Sequence, residues 1–241
     1  MKLSYDLHMH SCLSPCGDAD MTPNNMVNMA ILNGLQVVAL TDHNSCKNCP
    51  AFLEVARRSG ILAIAGMELC TAEEIHVVCL FPELAAAMAF DEEVYHKVPD
   101  IQNRPEIFGE QWVMDENDAV LRSETRLLIN ASAISIAEAV PLVKKYGGVV
   151  FPAHVDKSAY SVLSNLGFLP PECGFTTVEV KSPESFLANE ENRQKIAGCQ
   201  VVTDSDAHYL WDIAEQVHTL ELSACSAGRV LEYFRGKEGD F

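Results

Sequence analysis

The chain has 241 residues, 48% of them hydrophobic, a composition that folds around a sizeable core and excludes a disordered or low-complexity polypeptide. Its formal net charge of −17 argues against a broad basic surface for a long nucleic-acid backbone, but not against small anionic substrates, because bound cations reverse the local sign. No apolar run approaches the roughly 20 residues that span a bilayer, and no secretion signal is visible, so a cytoplasmic protein with no membrane partner and nine reduced cysteines is expected.

Residues 5–11 read as a first strand on which Asp6, His8 and His10 share a face, since strand side chains alternate. Two imidazoles at i and i+2 can hold one cation. A loop over 14–20 follows, then a helix with Thr22 as N-cap, Pro23 in its first turn and Gly34 closing it. A buried strand over 36–41 ends at Asp42, His43 and Asn44. A helix over 50–59 ends at Gly60, and an apolar strand over 61–67 is followed at once by Glu68. A fourth strand over 75–81 starts near His76. The Cys46/Cys49 pair lacks the second C-x-x-C that a four-thiolate zinc site needs.

From 91 to 130 the alternation of strands and helices stops. Ten Asp or Glu stand there against four Lys or Arg, and apolar triplets at 112–114 and 119–121 bracket Asp115 to Asp118, the pattern of an inserted hairpin. Because the segment joins the strands bearing His76 and His154, it is expected to cover that side of the site. The rhythm resumes with a capping box at Ser135 and Glu138, opening a helix that Pro141 should kink or shorten. Strands follow over 149–152, leading to His154, over 176–180, and over 200–203, leading to Asp204, Asp206 and His208. A strand near 217–222 and a helix over 227–234 finish the chain.

Strands alternating with helices argue for a parallel α/β architecture. His43, Glu68, His154, Asp206 and His208 each follow an apolar strand. A closed barrel gathers all strand ends at one mouth, whereas an open sheet gathers few. A single-domain distorted (β/α)7 TIM-like barrel over 1–241 with an insertion at about 91–130 is therefore expected. Six of the eight histidines lie on the first strand or beside strand ends; His96 and His218 do not. Nitrogen and carboxylate donors with few thiolates suit Zn, Mn or Fe.

The motifs Asp6-Leu7-His8-Met9-His10-Ser11, Thr41-Asp42-His43-Asn44, Gly66-Met67-Glu68 with His76 eight residues on, Pro152-Ala153-His154 and Ser205-Asp206-Ala207-His208 run in order along the chain. Together they resemble the PHP (polymerase and histidinol phosphatase) family. The resemblance implies the distorted barrel, two or three divalent transition metal ions, and phosphoester hydrolysis. It implies one ion on His8, His10, Glu68 and Asp206, a second on Glu68, His76 and His154, and a third on Asp18, His43 and His208. The chain departs from the family in its first loop. Pro15 stands where a ligand is usual, and alignment back from Thr22 and Pro23 selects Asp18, with Asp20 as the fallback.

The ions would activate water and neutralise phosphoryl oxygens. Asp20 is then a candidate proton donor and Lys157 a candidate phosphate contact, while Asp6, Asp42 and Asp204 would orient ligating imidazoles. The expected function is a metal-dependent phosphoesterase for a small phosphorylated substrate or short oligonucleotide, with a nucleoside-bisphosphate phosphatase or 5'-3' exonuclease favoured. Histidinol-phosphate phosphatase, a metal-dependent amide or lactone hydrolase, and a non-enzymatic metal-binding regulatory domain are the alternatives.

Overall fold

The computed structural model describes residues 1–235. The chain begins with β1 (Lys2–Asp6), and the loop after it leads into α1 (Pro23–Leu32). Thr22 caps α1 by accepting the Asn25 N–H at 3.3 Å, and Pro23 occupies the first turn, where its missing N–H costs nothing. Then come β2 (Val37–Leu40), α2 (Cys49–Ser59), β3 (Leu62–Cys70) and β4 (His76–Phe81). Gly60 ends α2 in the left-handed region (φ 75°), where a side chain would be strained. After α3 (Leu84–Tyr95), α4 (Pro105–Phe108) and the hairpin β5 (Trp112–Met114) and β6 (Val120–Ser123), the chain forms α5 (Ile136–Lys145) and β7 (Val149–Pro152). The capping box of Ser135 and Glu138 is present, and α5 runs through Pro141 unbroken because that residue faces solvent.

The remaining elements are α6 (Val162–Asn165), β8 (Thr177–Glu179), α7 (Pro183–Ala188), α8 (Glu190–Lys195), β9 (Gln200–Val202), β10 (Thr219–Glu221) and α9 (Ala227–Phe234). The main sheet has the order β10-β1-β2-β3-β4-β7, and β8 pairs with β9. Backbone hydrogen bonds continue the ring past these strands. Val155 N–H donates to Glu179 O at 2.8 Å, His10 N–H donates to Ala207 O at 2.9 Å, and Met9 bridges Ala207 in parallel. A curled barrel of β1, β2, β3, β4, β7, β8 and β9 results, as the distorted (β/α)7 reading expects.

The sheet is not all parallel, which corrects the expected parallel architecture. β4 runs antiparallel to both β3 and β7. The five residues between β3 and β4 leave no room for the dozen-residue crossover that a parallel pair needs. One consequence concerns the site directly. Glu68 lies inside β3 and not beyond it, and His76 opens β4, so the hairpin presents both from the barrel wall. Gly66 is required at the crowded centre of β3, because a Cβ there would lie 2.7 Å from Cys79 O. Fully buried Phe52, Phe81 and Phe90 pack between strands and helices, each contributing roughly 1.5–3 kcal/mol of burial.

The hairpin expected within the inserted segment forms, and the first residues of the expected segment belong to α3. Asp91 is buried within α3, where Oδ1 accepts from Cys46 N–H at 2.6 Å and Ser45 Oγ at 2.9 Å. The hairpin packs on the first loop and α2, while the end of the segment returns to the site, Asn44 Nδ2 donating to Leu128 O at 2.7 Å and to Asn130 O at 2.8 Å. Asn48 Nδ2 donates to Trp112 O at 3.0 Å, Trp112 N–H to Cys12 O at 3.0 Å, and Thr22 Oγ1 to Asp118 Oδ2 at 2.6 Å. Cys46 and Cys49 lie buried behind β3, each thiol directed at Gly66 O, so this C-x-x-C packs and faces no ion.

Candidate metal centre

His8 and His10 lie just past the end of β1, where closure of the ring against Ala207 turns both rings inward. Their Nε2 atoms approach to 3.3 Å. His8 Nε2 is 3.2 Å from Glu68 Oε1 and 3.5 Å from Asp206 Oδ1; His10 Nε2 is 3.3 Å from Glu68 Oε2 and 3.3 Å from Asp206 Oδ1. Four donors thus converge: His8, His10, Glu68 and Asp206. On the other side of Glu68, His76 Nδ1 and His43 Nδ1 each stand 2.9 Å from a carboxylate oxygen, and His154 Nε2 stands at 3.2 Å. A second convergence is His43, Glu68 and His76, and a third is His10, His43 and His208. Glu68 therefore meets five imidazoles, and every one of these side chains except His208 is buried.

The surroundings fix which nitrogen faces inward. Glu179, at the end of β8, accepts from His8 Nδ1 at 2.7 Å with both groups fully buried. That bond leaves Nε2 with its lone pair toward Glu68 and Asp206. His10 is held through an intermediary. Asp42 Oδ1 accepts from Ser14 Oγ at 2.7 Å, and Ser14 Oγ accepts in turn from His10 Nδ1 at 3.1 Å and from His43 N–H at 3.1 Å. His208 Nδ1 donates to Asp206 O at 2.9 Å. Asp6 and Asp204 touch no imidazole through these bonds and instead tie the barrel seam. Asp6 accepts from Ser205 N–H and Ala214 N–H, both at 3.0 Å, and Asp204 accepts from Leu7 N–H at 2.6 Å. His154 and Asp206 both adopt left-handed backbone (φ 30° and 50°), a strain of about 1–3 kcal/mol each that the surrounding bonds must hold.

The electrostatics are those of a cation site. Burial would raise the Glu68 carboxyl, but His76, His8 and His43 outweigh it and hold Glu68 well below the usual carboxylate range. Burial pushes His76 down to about 4 and His208 to about 3, the latter with help from His10, so both rings stay neutral near pH 7. For His8 burial is overcome by Glu179, Glu68 and Asp206, which hold the ring well above its usual value as long as no cation is bound, so an ion arriving there would displace the Nε2 proton and leave Nδ1–H on Glu179. Several buried atoms make no hydrogen bond: His76 Nε2 and His154 Nδ1, and also His43 Nδ1 and Glu68 Oε2, which are 2.9 Å apart but not aligned as donor and acceptor. Orphaned donors and acceptors are costly in an apolar interior, and here they cluster with nitrogen and carboxylate ligands suited to Zn, Mn or Fe. The residues fit divalent ions.

The expected first ligand set thus comes together. Of the second, His76 and His154 both stand at Glu68 Oε1 with their ring centroids 5.4 Å apart, and His43 joins Glu68 and His76 in the tight group. Asp18 does not reach the groupings among the described residues. Its Oδ1 accepts Asp20 N–H at 2.9 Å, a turn that its residue type favours locally. Asp20, expected as a proton donor, is exposed at the start of α1, and its carbonyl accepts from Thr22 N–H and Asn25 Nδ2. Lys157 reaches the mouth and pairs with Asp206 Oδ2. Glu179 was missed, although a carboxylate ending the short apolar strand β8 is the same signal that marked Glu68. Cys16, weighed in the sequence only as a loose pair with Cys12, lines the mouth together with His43.

The mouth opens to a cavity of about 500 Å³ lined by His43, Glu68, His76, His154, Lys157 and Tyr160 among others. In sequence, the chain is 27% identical over 173 residues to the 5'-3' exoribonuclease Rnm of Salmonella typhimurium, covering 70% of this chain and 57% of that protein. It is 36% identical over 83 residues to the 5'-3' exoribonuclease of Haemophilus influenzae, covering 33% of this chain and 29% of that one. The chain therefore spans little more than half of the first relative and under a third of the second. In structure it is similar to the lesion-specific endonuclease PfuEndoQ from Pyrococcus furiosus, with TM-score 0.72 and 18% identity over 99% of this chain and 57% of that one. It also resembles a putative metal-dependent phosphoesterase from Bifidobacterium adolescentis, with TM-score 0.58 and 19% identity over 85% and 87% of the two chains. The PHP domain family model matches residues 6–147, more than half of the sequence and the stretch that carries His8, His10, His43, Glu68 and His76, and the chain belongs to that family.

Proposed function

We propose that the chain is a metal-dependent phosphoesterase that hydrolyses terminal phosphoesters of nucleotides or short oligonucleotides. The observation that carries the reading is the convergence of His8, His10, Glu68 and Asp206, continued by His43, His76, His154 and His208, at the floor of the cavity. Two or three ions would be held there, Glu68 being shared between neighbouring sites. When bound, such ions activate water and neutralise phosphoryl oxygens. Glu179 and the pair Ser14 and Asp42 keep the imidazoles of His8 and His10 in the ligating tautomer. Lys157, released from Asp206, can take a phosphoryl oxygen as a point charge.

A cavity of about 500 Å³ suits a ligand of nucleotide size. The net charge of −17 and the acidic segment beside the first loop disfavour a long polyanion. The two relatives named as 5'-3' exoribonucleases support attack at a 5' end. A turnover screen tests the reading, using protein loaded with Mn, Zn or Fe against nucleoside 3',5'-bisphosphates, 5'-phosphorylated oligonucleotides of increasing length, histidinol phosphate, amides and lactones. Hydrolysis of the bisphosphates and short oligonucleotides is expected, with kcat/KM falling as length grows and added salt relieving the penalty. Turnover confined to histidinol phosphate or to amides would reject this substrate class, and equal cleavage of long strands at low salt would reject the length limit.

A further inference from the structure

We propose that Tyr160 is the base-recognition residue of this chain, the outer face of its ring forming a stacking surface for the nucleobase of the nucleotide whose phosphoester lies at the metal centre. The inference rests on the phosphoesterase reading above and names the part of the substrate that the site grips besides phosphate. Tyr160 lines the cavity over the metal centre and is the one Phe, Tyr or Trp among the described residues of that lining. Apart from Ile129, the other lining side chains are polar, charged or small. They serve ions and phosphate and offer a flat base nothing to lie on. The Tyr160 ring is stacked on the His76 imidazole, with centroids 4.7 Å apart and planes 24° from parallel. His76 is buried and occupies one face of the ring, yet Tyr160 remains 44% exposed, so the opposite face is the one that is free. A nucleobase fits such a face, and stacking there tolerates different bases because each presents a π-face.

The backbone holds the ring at the mouth under strain. Tyr160 sits in the left-handed region (φ 55°), which glycine adopts freely and a bulky side chain does not. Bonds around it fix that conformation. His76 N–H donates to Tyr160 O at 2.9 Å, Ser161 Oγ to Val155 O at 2.9 Å and Lys157 N–H to His154 O at 2.9 Å. One short loop after β7 therefore carries His154, Lys157 and Tyr160, which sets an ion ligand, a phosphate contact and a stacking face in fixed relation. The exposed pair Tyr209 and Trp211, stacked on each other at 4.9 Å, is not part of this lining and provides the comparison.

Tyr160→Gly tests the assignment, because it removes the ring where the backbone favours glycine, so the fold should persist and the thermal midpoint change little. In the Mn-loaded full chain, KM for adenosine 3',5'-bisphosphate should rise roughly 5- to 140-fold, the usual strength of base–aromatic stacking. Neither kcat nor metal content should move, and KM for abasic ribose 3',5'-bisphosphate should be the same in both proteins. Calorimetric titration with AMP and with ribose 5-phosphate should show the same contrast without turnover. Tyr160→Phe, which keeps the face, and Trp211→Ala should both match wild type. Equal losses for base-bearing and abasic ligands in Tyr160→Gly, or a fall in its metal content, would make Tyr160 a cover for His76 and overturn the assignment. A base-dependent loss in Trp211→Ala with none in Tyr160→Gly would overturn it too. So would a wild type that hydrolyses both bisphosphates and binds AMP no more tightly than ribose 5-phosphate, a result that leaves the phosphoesterase reading standing. A wild type that neither binds nor hydrolyses any of these phosphates would overturn both.

Discussion

Glu179→Gln separates the metal site from the fold more cleanly than removal of a ligand. Glu179 Oε2 is 2.7 Å from His8 Nδ1, with both side chains fully buried. The carboxylate accepts that proton and leaves His8 Nε2 free, 3.2 Å from Glu68 Oε1. A glutamine has nearly the same volume, so packing around β8 persists, but its amide N–H can donate to Nδ1 and move the ring proton onto Nε2. A ring protonated there cannot ligate. Loss of such an outer partner lowers metal affinity about 10- to 100-fold, or roughly 1.4–2.8 kcal/mol at 1.4 kcal/mol per decade. Competition with a chromophoric chelator measures this directly, and the thermal midpoint of the apo protein serves as the control. Affinity should fall by one to two decades while that midpoint moves little. Unchanged metal affinity in Glu179→Gln would refute the claim that this bond sets the tautomer of His8.

Three further outcomes follow from the same geometry. Glu68→Gln weakens a group that meets five imidazoles, so metal content and turnover should fall together by elemental analysis and phosphatase assay, while His96→Gln, at the exposed end of α3, should change neither. Lys157→Met removes an ammonium that competes with a cation for Asp206; titration should find metal affinity unchanged or higher and inhibition by inorganic phosphate weaker, and a fall in metal affinity would contradict the pairing. Asp118→Ala frees the hairpin of β5 and β6 from Thr22 and Asn24, losing three bonds to one half-buried carboxylate, at about 2 kcal/mol. A thermal melt should show Tm lower by roughly 4–8 °C with metal content intact.

The sequence by itself determined the barrel class and most of the donor set. Strand ends are legible locally, because an apolar run of four to six residues followed by His, Asp or Glu can be read without knowing its neighbours. His8 and His10 needed only strand periodicity, and Asp206 and His208 only their place after β9. The pairing of strands depends on contacts remote in sequence, and there the tertiary structure decided. The short β3–β4 link made a hairpin where parallel order was expected, which placed Glu68 inside its strand, across from Val78 and within 2.9 Å of His76 Nδ1. Contacts remote in sequence likewise seat the acidic hairpin on the first loop, through Thr22 and Asp118. Glu179 acquires its role only because Val155 pairs with Glu179 and closes the ring beside His8, 171 residues away in the chain. Asp18 and Cys16 show the limit most sharply. Both are polar residues of one loop, and its turns leave the Asp18 carboxylate on Asp20 N–H and Cys16 at the lip of the cavity.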